Sequence, residues 1–200
     1  TRNQAKELET SLNLNGNVRS KVFISMRYWH PMTLSTANAV KDFDPDEVIL
    51  LPFYPQFSTT TSGSSLKEWK IMANKIKLKK PTKTICCYPI DNGVAQAQAK
   101  LLTNEISKTN KPVRILFSAH GLPKKIINGG DPYQWQVEQM AKKIAKKTNL
   151  NADTWTICYQ SRVGPLEWIG PSLDEELKRA SNDKIGVIIL PIAFVSEHSE

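Results

Sequence analysis

The stretch Val113-Arg114-Ile115-Leu116-Phe117 decides the fold, because four of its five residues are apolar and two of them are β-branched. A short apolar run without polar alternation is typical of a strand buried on both faces, as in a parallel sheet. Similar runs occur at residues 22–24, 48–51, 84–88, 155–158 and 187–190. Helical patterns separate these runs. The sequence therefore predicts an α/β fold with helices on both faces of a parallel sheet.

Three of the predicted helices carry recognisable start signals. A serine or aspartate can accept hydrogen bonds from the first backbone N–H groups of a helix, and a glutamate three residues later completes a capping box. Proline is also favoured at the first helical position. The pairs that fit these rules are Ser65 with Glu68, Asp131 with Pro132, and Ser172 with Glu175. We expect helices to begin at these points.

Composition indicates an ordinary globular protein. Of the 200 residues, 40% are hydrophobic and 23% are charged. No apolar run approaches the roughly 20 residues that span a bilayer. Cys86, Cys87 and Cys158 lie in strand-like runs without Cys-x-x-Cys spacing, which predicts buried, reduced thiols and a reducing, cytoplasmic compartment. The chain does not begin with Met and stops directly after a His-Ser-Glu triplet, so we expect it to be part of a longer protein.

The formal net charge of +8 has three interpretations. The first is a set of solvated helix faces, because many of the lysines fall on predicted helix surfaces, as at Lys142, Lys143, Lys146 and Lys147. The second is a patch that attracts anionic lipid or an anionic substrate. Nucleic acid comes last, because no basic–aromatic interleaving and no known binding motif occurs. We therefore expect no nucleic-acid partner, and peripheral membrane contact stays open.

Polar and aromatic residues cluster directly after the predicted strands. In parallel α/β sheets, ligands bind beyond the carboxyl ends of the strands. The segments at this edge are 27–31, 52–65, 118–123, 159–168 and 194–200. They contain all three histidines and half of the aromatic residues, a placement that core packing alone does not explain. The sequence thus predicts a site at this edge built from His, Glu, Arg and aromatic side chains.

Histidines and carboxylates at this edge are the candidates for chemistry. His120 follows an apolar strand and precedes Gly121, so it is either a buried histidine satisfied by hydrogen bonds or a base or metal ligand in a cleft. Glu197, His198 and Glu200 form either a charged loop or a set of groups that binds and releases a divalent ion. His30 precedes Pro31, which favours a structural role.

A hydroxyl-rich loop from Ser58 to Ser65 precedes a predicted helix and could hold an anion through backbone N–H groups. It does not match the phosphate loop or the Gly-x-Gly-x-x-Gly pattern, which disfavours a nucleotide site. The chain also lacks a Gly-x-Ser-x-Gly elbow and a His-Glu-x-x-His motif, which disfavours a hydrolase and a zinc protease. An anion-binding module remains one interpretation.

Five motifs in a fixed order resemble the ferrochelatase family. They are Tyr54-Pro55-Gln56-Phe57-Ser58 with residues 61–65, Phe117-Ser118-Ala119-His120-Gly121-Leu122-Pro123, Asn128-Gly129-Gly130-Asp131-Pro132-Tyr133, residues 159–165 with 168–171, and residues 191–194 with His198-x-Glu200. Each motif alone is weak, but five in the family's order are specific. The resemblance covers essentially all 200 residues.

The resemblance implies a two-lobed chelatase fold of Rossmann-like sheets, with the porphyrin cleft between the lobes. Residues 1–53 would be the C-terminal portion of an incomplete first lobe, and residues 54–200 most of the second. The implied activity is a lyase reaction of haem biosynthesis that inserts ferrous iron into protoporphyrin IX or coproporphyrin. Porphyrin and ferrous iron are its substrates, and no further cofactor is required.

The resemblance also implies roles for single residues. His120 would lie at the metal, as proton acceptor or ligand, and Glu200 would face it across the cleft as a second catalytic and metal-binding group. His198 and Glu197 match an acidic, proton-conducting path. The positions that match the porphyrin site are Arg27, Tyr28, Ser58 and Trp168.

Two positions depart from the family's pattern. Some members hold an iron–sulfur cluster through cysteines, one of them at the position of Thr59, so we expect no cluster in this segment. Relatives often have serine at the position of Gly121, and we expect little consequence. The alternatives to an iron chelatase are a non-catalytic porphyrin or haem carrier and a chelatase for another metal and tetrapyrrole.

Overall fold

The structure, a computed structural model, describes residues 1–14, 16 and 18–195. The described chain divides into two compact units: Thr1–Pro52 with Thr60–Cys86, and Phe53–Thr59 with the described residues from Cys87 on. The sequence predicts a lobe boundary between residues 53 and 54. Unit 1 ends at Pro52 and resumes at Thr60 for residues 60–86. How these units correspond to the lobes of a chelatase stays a prediction.

Unit 1 is built from three helices and two short strands. In chain order these are α1 Arg2–Asn13, α2 Thr33–Phe43, β1 Val48–Leu50, α3 Ser62–Lys75 and β2 Thr82–Thr84. The strands pair in parallel, with Val48 opposite Thr82. The buried core of the unit consists of Ala37, Val40, Val48 and Trp69. Helix α1 buries none of its residues, so α2, α3 and β1 supply the core.

Four sequence predictions for unit 1 are wrong. Residues 22–24 form no strand, because side chains rather than a neighbouring strand bind their backbone: Glu9 Oε2 accepts from the Val22 N–H at 2.7 Å, and Thr36 Oγ1 donates to the Ile24 carbonyl at 2.8 Å. The strand expected at 84–88 ends at Thr84, and Cys86 is exposed rather than buried. Helix α3 begins at Ser62, so Ser65 lies inside it and does not cap it.

Unit 2 carries the remaining elements, in which one or two helices precede each strand. They are α4 Asn92–Ile106, β3 Val113–His120, α5 Lys124–Asn128, α6 Tyr133–Lys147, β4 Trp155–Gln160, α7 Leu173–Asn182 and β5 Gly186–Pro191. All three strands are parallel, in the order β4-β3-β5. The predicted strands at 113–117, 155–158 and 187–190 are confirmed, as is the α/β fold class.

Helices cover both faces of the three-stranded sheet. Ile115, Phe117 and Ala119 of β3 lie in one buried cluster with residues of α4 and α6. Because side chains alternate along a strand, Leu116 and Ser118 face the other way, and α7 packs against the sheet. The central strand is therefore buried on both faces, which explains its continuous apolar pattern.

Helix α7 begins with the predicted capping box. Ser172 Oγ accepts from the Glu175 N–H at 3.2 Å, and Glu175 Oε2 accepts from the Ser172 N–H at 2.6 Å. Helix α6 begins one residue later than expected, at Tyr133, and Asp131 Oδ1 accepts from the Tyr133 N–H at 3.0 Å. No helix in the described ranges is both long and apolar enough to cross a membrane.

We expect Ser172→Ala to lower the free energy of unfolding by about 1 kcal/mol, the usual cost of removing a serine cap. Hydrogen bonds from the Ser172 backbone and then its side chain lower the pKa of Glu175. The contribution of Glu175 is therefore present above the ordinary carboxyl pKa and is lost as the pH falls through the lowered pKa. Urea unfolding of the full-length protein at pH 7 checks the substitution, with Ser181→Ala in the last turn of α7 as the control. Equal effects of the two would contradict the capping role.

Candidate functional site

The carboxyl edge of the three-stranded sheet brings His120 and Gln160 together. They are the last residues of β3 and β4, and they lie opposite each other in the parallel register. Ser118 and Cys158, two residues earlier, are paired in the same way. Because alternate residues share a face, all four side chains lie on one face of the sheet. His120 and Gln160 are half-buried, as groups at the edge of a sheet would be.

The peptide group that follows His120 is fixed by two hydrogen bonds. The Tyr133 hydroxyl donates to the His120 carbonyl at 2.9 Å, and the Gly121 N–H donates to the Gln160 carbonyl at 2.8 Å. Two residues before His120 in β3, Ser118 Oγ donates to Gln160 Oε1 at 2.9 Å. The imidazole of His120 therefore extends from a backbone held by two different elements.

Trp168 packs against the same turn. Trp168 and Pro123 form an antiparallel bridge, and the Ile169 N–H donates to the Leu122 carbonyl at 3.0 Å. A Cβ atom at Gly121 would lie 3.3 Å from Trp168 Cε3. The half-buried indole is thus held against Gly121, the residue after His120, and its Nε1 is buried without a hydrogen-bond partner among the residues that the structure describes. Two motifs that the sequence treated separately, 118–123 and 168–171, form one surface.

Ser58 is fully buried, and its hydroxyl donates to Asp131 Oδ2 at 3.0 Å. The same oxygen accepts from the Thr59 N–H at 2.7 Å and from Thr59 Oγ1 at 2.8 Å. The substrate-binding role of Ser58 stays a prediction. In this arrangement its hydroxyl anchors the 57–59 segment to the start of α6.

Asp131 and Tyr133 are the residues whose importance sequence reasoning missed. The pair Asp131-Pro132 was interpreted only as a helix start. The one available signal was the Asn-Gly-Gly-Asp-Pro-Tyr motif at 128–133, which gave no indication of what the side chains contact. Burial, with smaller contributions from Tyr159 and Asp131, raises the pKa of Tyr133 well above its ordinary value. Its hydroxyl is therefore protonated, and a donor, at any physiological pH.

Arg27 and Tyr28 lie in unit 1, on the segment before α2. The Arg27 guanidinium carbon lies 4.8 Å from the centre of the Tyr28 ring, which is within the range of a cation–π contact. Arg27 Nε donates to Ser64 Oγ at 3.2 Å, and its NH2 group lies 4.0 Å from Glu68 Oε2. Tyr28 is 76% exposed. Arg27 is thus held against the first turn of α3, and Tyr28 presents an aromatic face.

The described part of the chain does not include three of the predicted site residues, which are Glu197, His198 and Glu200. Within the described ranges, no group of three or more His, Cys, Asp and Glu side chains could hold a metal ion. The pairing of His120 with Glu200 stays a prediction.

The three cysteines differ in their surroundings, and none is joined to another in a disulfide. Cys158 is fully buried, and burial, followed by the nearby Glu176, raises its pKa to about 12. Since the thiolate is the reactive form, we expect iodoacetamide to modify exposed Cys86 at pH 8 and to leave Cys158 intact until the protein is unfolded. Peptide mapping by mass spectrometry measures both rates in one sample. Equal rates in the native protein would contradict the burial of Cys158.

Comparison with known proteins relates the whole chain to a single family. A family model described as Ferrochelatase matches residues 1–200. A ferrochelatase of Caulobacter vibrioides (strain NA1000 / CB15N) is 52% identical over 203 residues, covering 100% of this chain and 57% of the relative. A ferrochelatase of Phenylobacterium zucineum (strain HLK1) is 48% identical over 203 residues, covering 100% and 58%. One of Pelagibacter ubique (strain HTCC1062) is 48% identical over 198 residues, covering 98% and 57%. The chain thus spans little more than half the length of these curated relatives.

Proposed function

The chain belongs to the ferrochelatase family, and from that premise we propose that the full-length protein inserts ferrous iron into protoporphyrin IX or coproporphyrin to form haem. The observation that carries the proposal is the position of His120. It ends a buried parallel strand at the edge of the sheet where such folds bind ligands, and the half-buried ring of Trp168 packs against the next residue, Gly121.

The reaction requires groups of the kind found at this edge. As Fe²⁺ enters the ring, the two pyrrole N–H groups lose their protons, so the porphyrin exchanges two protons for one divalent ion. An imidazole can accept a proton near neutral pH or bind the ion. We assign this part to His120, with Glu200 as a second metal-binding group and His198 as a neighbouring catalytic group.

The porphyrin itself needs an apolar, aromatic surface that can favour a bent ring over a flat one. We assign this surface to Trp168 and Tyr28. Arg27 is the candidate partner for a porphyrin carboxylate, through a charge-assisted hydrogen bond. Its guanidinium already lies between Ser64 and Glu68, which would hold it in place. Ser58 would contribute to the porphyrin site only if the 57–59 segment moved.

The deciding experiment is anaerobic incubation of the full-length protein with ferrous iron and protoporphyrin IX, followed by the loss of porphyrin fluorescence. Coproporphyrin in a parallel reaction decides between the two substrates. We expect strong acceleration over buffer with one of them. Tight porphyrin binding without metallation would overturn the enzyme and point to a porphyrin carrier.

We also propose that this segment provides no ligand to an iron–sulfur cluster. Thr59 donates to Asp131, and Cys158 is buried within the sheet, which supports the proposal. The test measures cluster iron and acid-labile sulfide in the purified full-length protein. The measurement is then repeated after replacement of Cys86, Cys87 and Cys158 with serine. Loss of a cluster on those replacements would overturn it.

We further propose a cytoplasmic protein in which the part that the structure describes makes peripheral contact with membranes. The net charge of +8 favours anionic lipid. Sedimentation with vesicles that contain phosphatidylserine, at low and high salt, tests this. Binding that high salt does not weaken would contradict an electrostatic contact.

A further inference from the structure

We propose that Asp131 and Tyr133 form a positioning pair that holds the backbone of His120 and couples it to the 57–59 segment. The inference rests on the proposed function, since it concerns the same site. Neither residue is placed at the metal or the porphyrin. Both act through the groups that they hold.

Asp131 is nearly buried and uses both of its carboxylate oxygens. Oδ2 accepts from Ser58 Oγ, the Thr59 N–H and Thr59 Oγ1, at 3.0, 2.7 and 2.8 Å. Oδ1 accepts from the Tyr133 N–H at 3.0 Å. A buried carboxylate is costly unless such donors satisfy it. Its four hydrogen bonds therefore join the 57–59 segment firmly to the first residue of α6.

Tyr133 extends this connection to the candidate catalytic residue. Its backbone is bound by Asp131, and its buried hydroxyl donates to the His120 carbonyl at 2.9 Å. The same peptide group donates its other hydrogen bond, from the Gly121 N–H, to Gln160. With both polar atoms held, this peptide plane cannot rotate freely, and the direction of the His120 side chain is restricted.

Such restriction matters for a group that must meet a reacting atom. A misplacement of about 1 Å can cost roughly 10²-fold in rate. Gln136 of α6 also binds the 57–59 segment, because its Oε1 accepts from the Phe57 N–H at 2.7 Å. The first turns of α6 therefore position both the 57–59 segment and the turn after β3.

Tyr133→Phe in the full-length protein removes the hydroxyl that donates to the His120 carbonyl. We expect kcat for porphyrin metallation to fall about tenfold, less than the roughly 10²-fold of a 1 Å misplacement, with KM for porphyrin within about twofold of the wild type. The matched control is Tyr159→Phe. Tyr159 is also buried, and its hydroxyl has no hydrogen-bond partner among the described residues, so both constants should stay unchanged.

A second readout does not depend on turnover. Amide hydrogen exchange of residues 119–122 should speed up in Tyr133→Phe and stay unchanged in Tyr159→Phe. Asp131→Asn leaves one acceptor oxygen in place of two, so it can no longer accept from both the 57–59 segment and the Tyr133 N–H, and the connection between them should break. We expect it to lower kcat as well and, if Ser58 belongs to the porphyrin site, to raise KM.

The outcomes separate this inference from the proposed function. An inactive wild-type protein would overturn the proposed function, and the positioning role would fall with it. An active wild type with unchanged kcat and exchange in Tyr133→Phe would overturn the positioning role alone. A lower melting temperature with unchanged kcat would show that Tyr133 only stabilises the fold, which also overturns it.

Discussion

Replacing His120 with alanine should lower kcat for haem formation by about 10²–10⁴-fold, the range for loss of a positioned acid–base group. The fold should survive, because the bonds that hold this turn are made by the backbone. The Tyr133 hydroxyl binds the His120 carbonyl, and the Gly121 N–H binds Gln160; neither bond needs the imidazole. Initial rates under anaerobic conditions, beside urea unfolding of the same samples, measure both effects in the full-length protein.

The control for this substitution is His30→Ala. His30 is exposed, follows Trp29 in unit 1, and was assigned no part in the reaction. It should leave kcat within about twofold of the wild type, since isolated surface substitutions have small effects. Retained activity in His120→Ala would remove His120 from the mechanism, and with it the observation that supports the proposed function most directly.

The fold of unit 2 could be predicted because its central strand is buried. Ile115, Leu116 and Phe117 leave no polar position facing solvent, so the sequence pattern is strong. Unit 1 gave weaker signals. Its strands have three residues each, and the apolar run at 22–24 is bound by the side chains of Glu9 and Thr36 instead of a strand. Such contacts depend on the tertiary fold and leave no periodic trace in the sequence.

The candidate site was predictable to a similar extent. Strand ends indicated where His120 and Trp168 would lie, because parallel sheets place ligands at that edge. The hydrogen bonds that join distant segments near this edge were not predictable. Ser58 and Asp131 are separated by 73 positions in the chain, and only the folded structure brings the hydroxyl to the carboxylate. The residues at 196–200, which hold the other predicted groups, are outside the described part of the chain.

Gly121 is the position where the geometry argues most directly against a sequence expectation. The sequence expectation is that glycine here, where relatives often have serine, has little consequence. A Cβ atom there would lie 2.9 Å from the Gln160 carbonyl oxygen and 3.3 Å from Trp168 Cε3. The first distance is shorter than folded proteins tolerate, and its partner is backbone that cannot rotate away. Both clashing groups come from segments distant in sequence, so no local pattern reveals them.

We therefore expect Gly121→Ala to lower the free energy of unfolding of the full-length protein by about 1–3 kcal/mol, the typical cost of forcing extra atoms into a packed site. The hydrogen bond from the Gly121 N–H to the Gln160 carbonyl, which extends the pairing of β3 with β4, should lengthen. The added methyl group would crowd that same carbonyl oxygen. Trp168 should move as well. Urea unfolding measures the first effect, and the indole N–H resonance of Trp168 in an NMR spectrum reports the second.

The matched control is Gly186→Ala, at the exposed first residue of β5. Among the described residues, a Cβ atom there meets the Val113 side chain at 3.2 Å, which can shift, and the Pro112 carbonyl at an ordinary 3.5 Å. Alanine also reduces the entropy cost that glycine carries in a strand, so the effect should stay within about 0.5 kcal/mol. If Gly121→Ala proved as mild as this control, with the Trp168 resonance unmoved, the turn after β3 would be loose enough to absorb a methyl group. The hydrogen bonds to the His120–Gly121 peptide would then not fix His120 in the way that its proposed role requires.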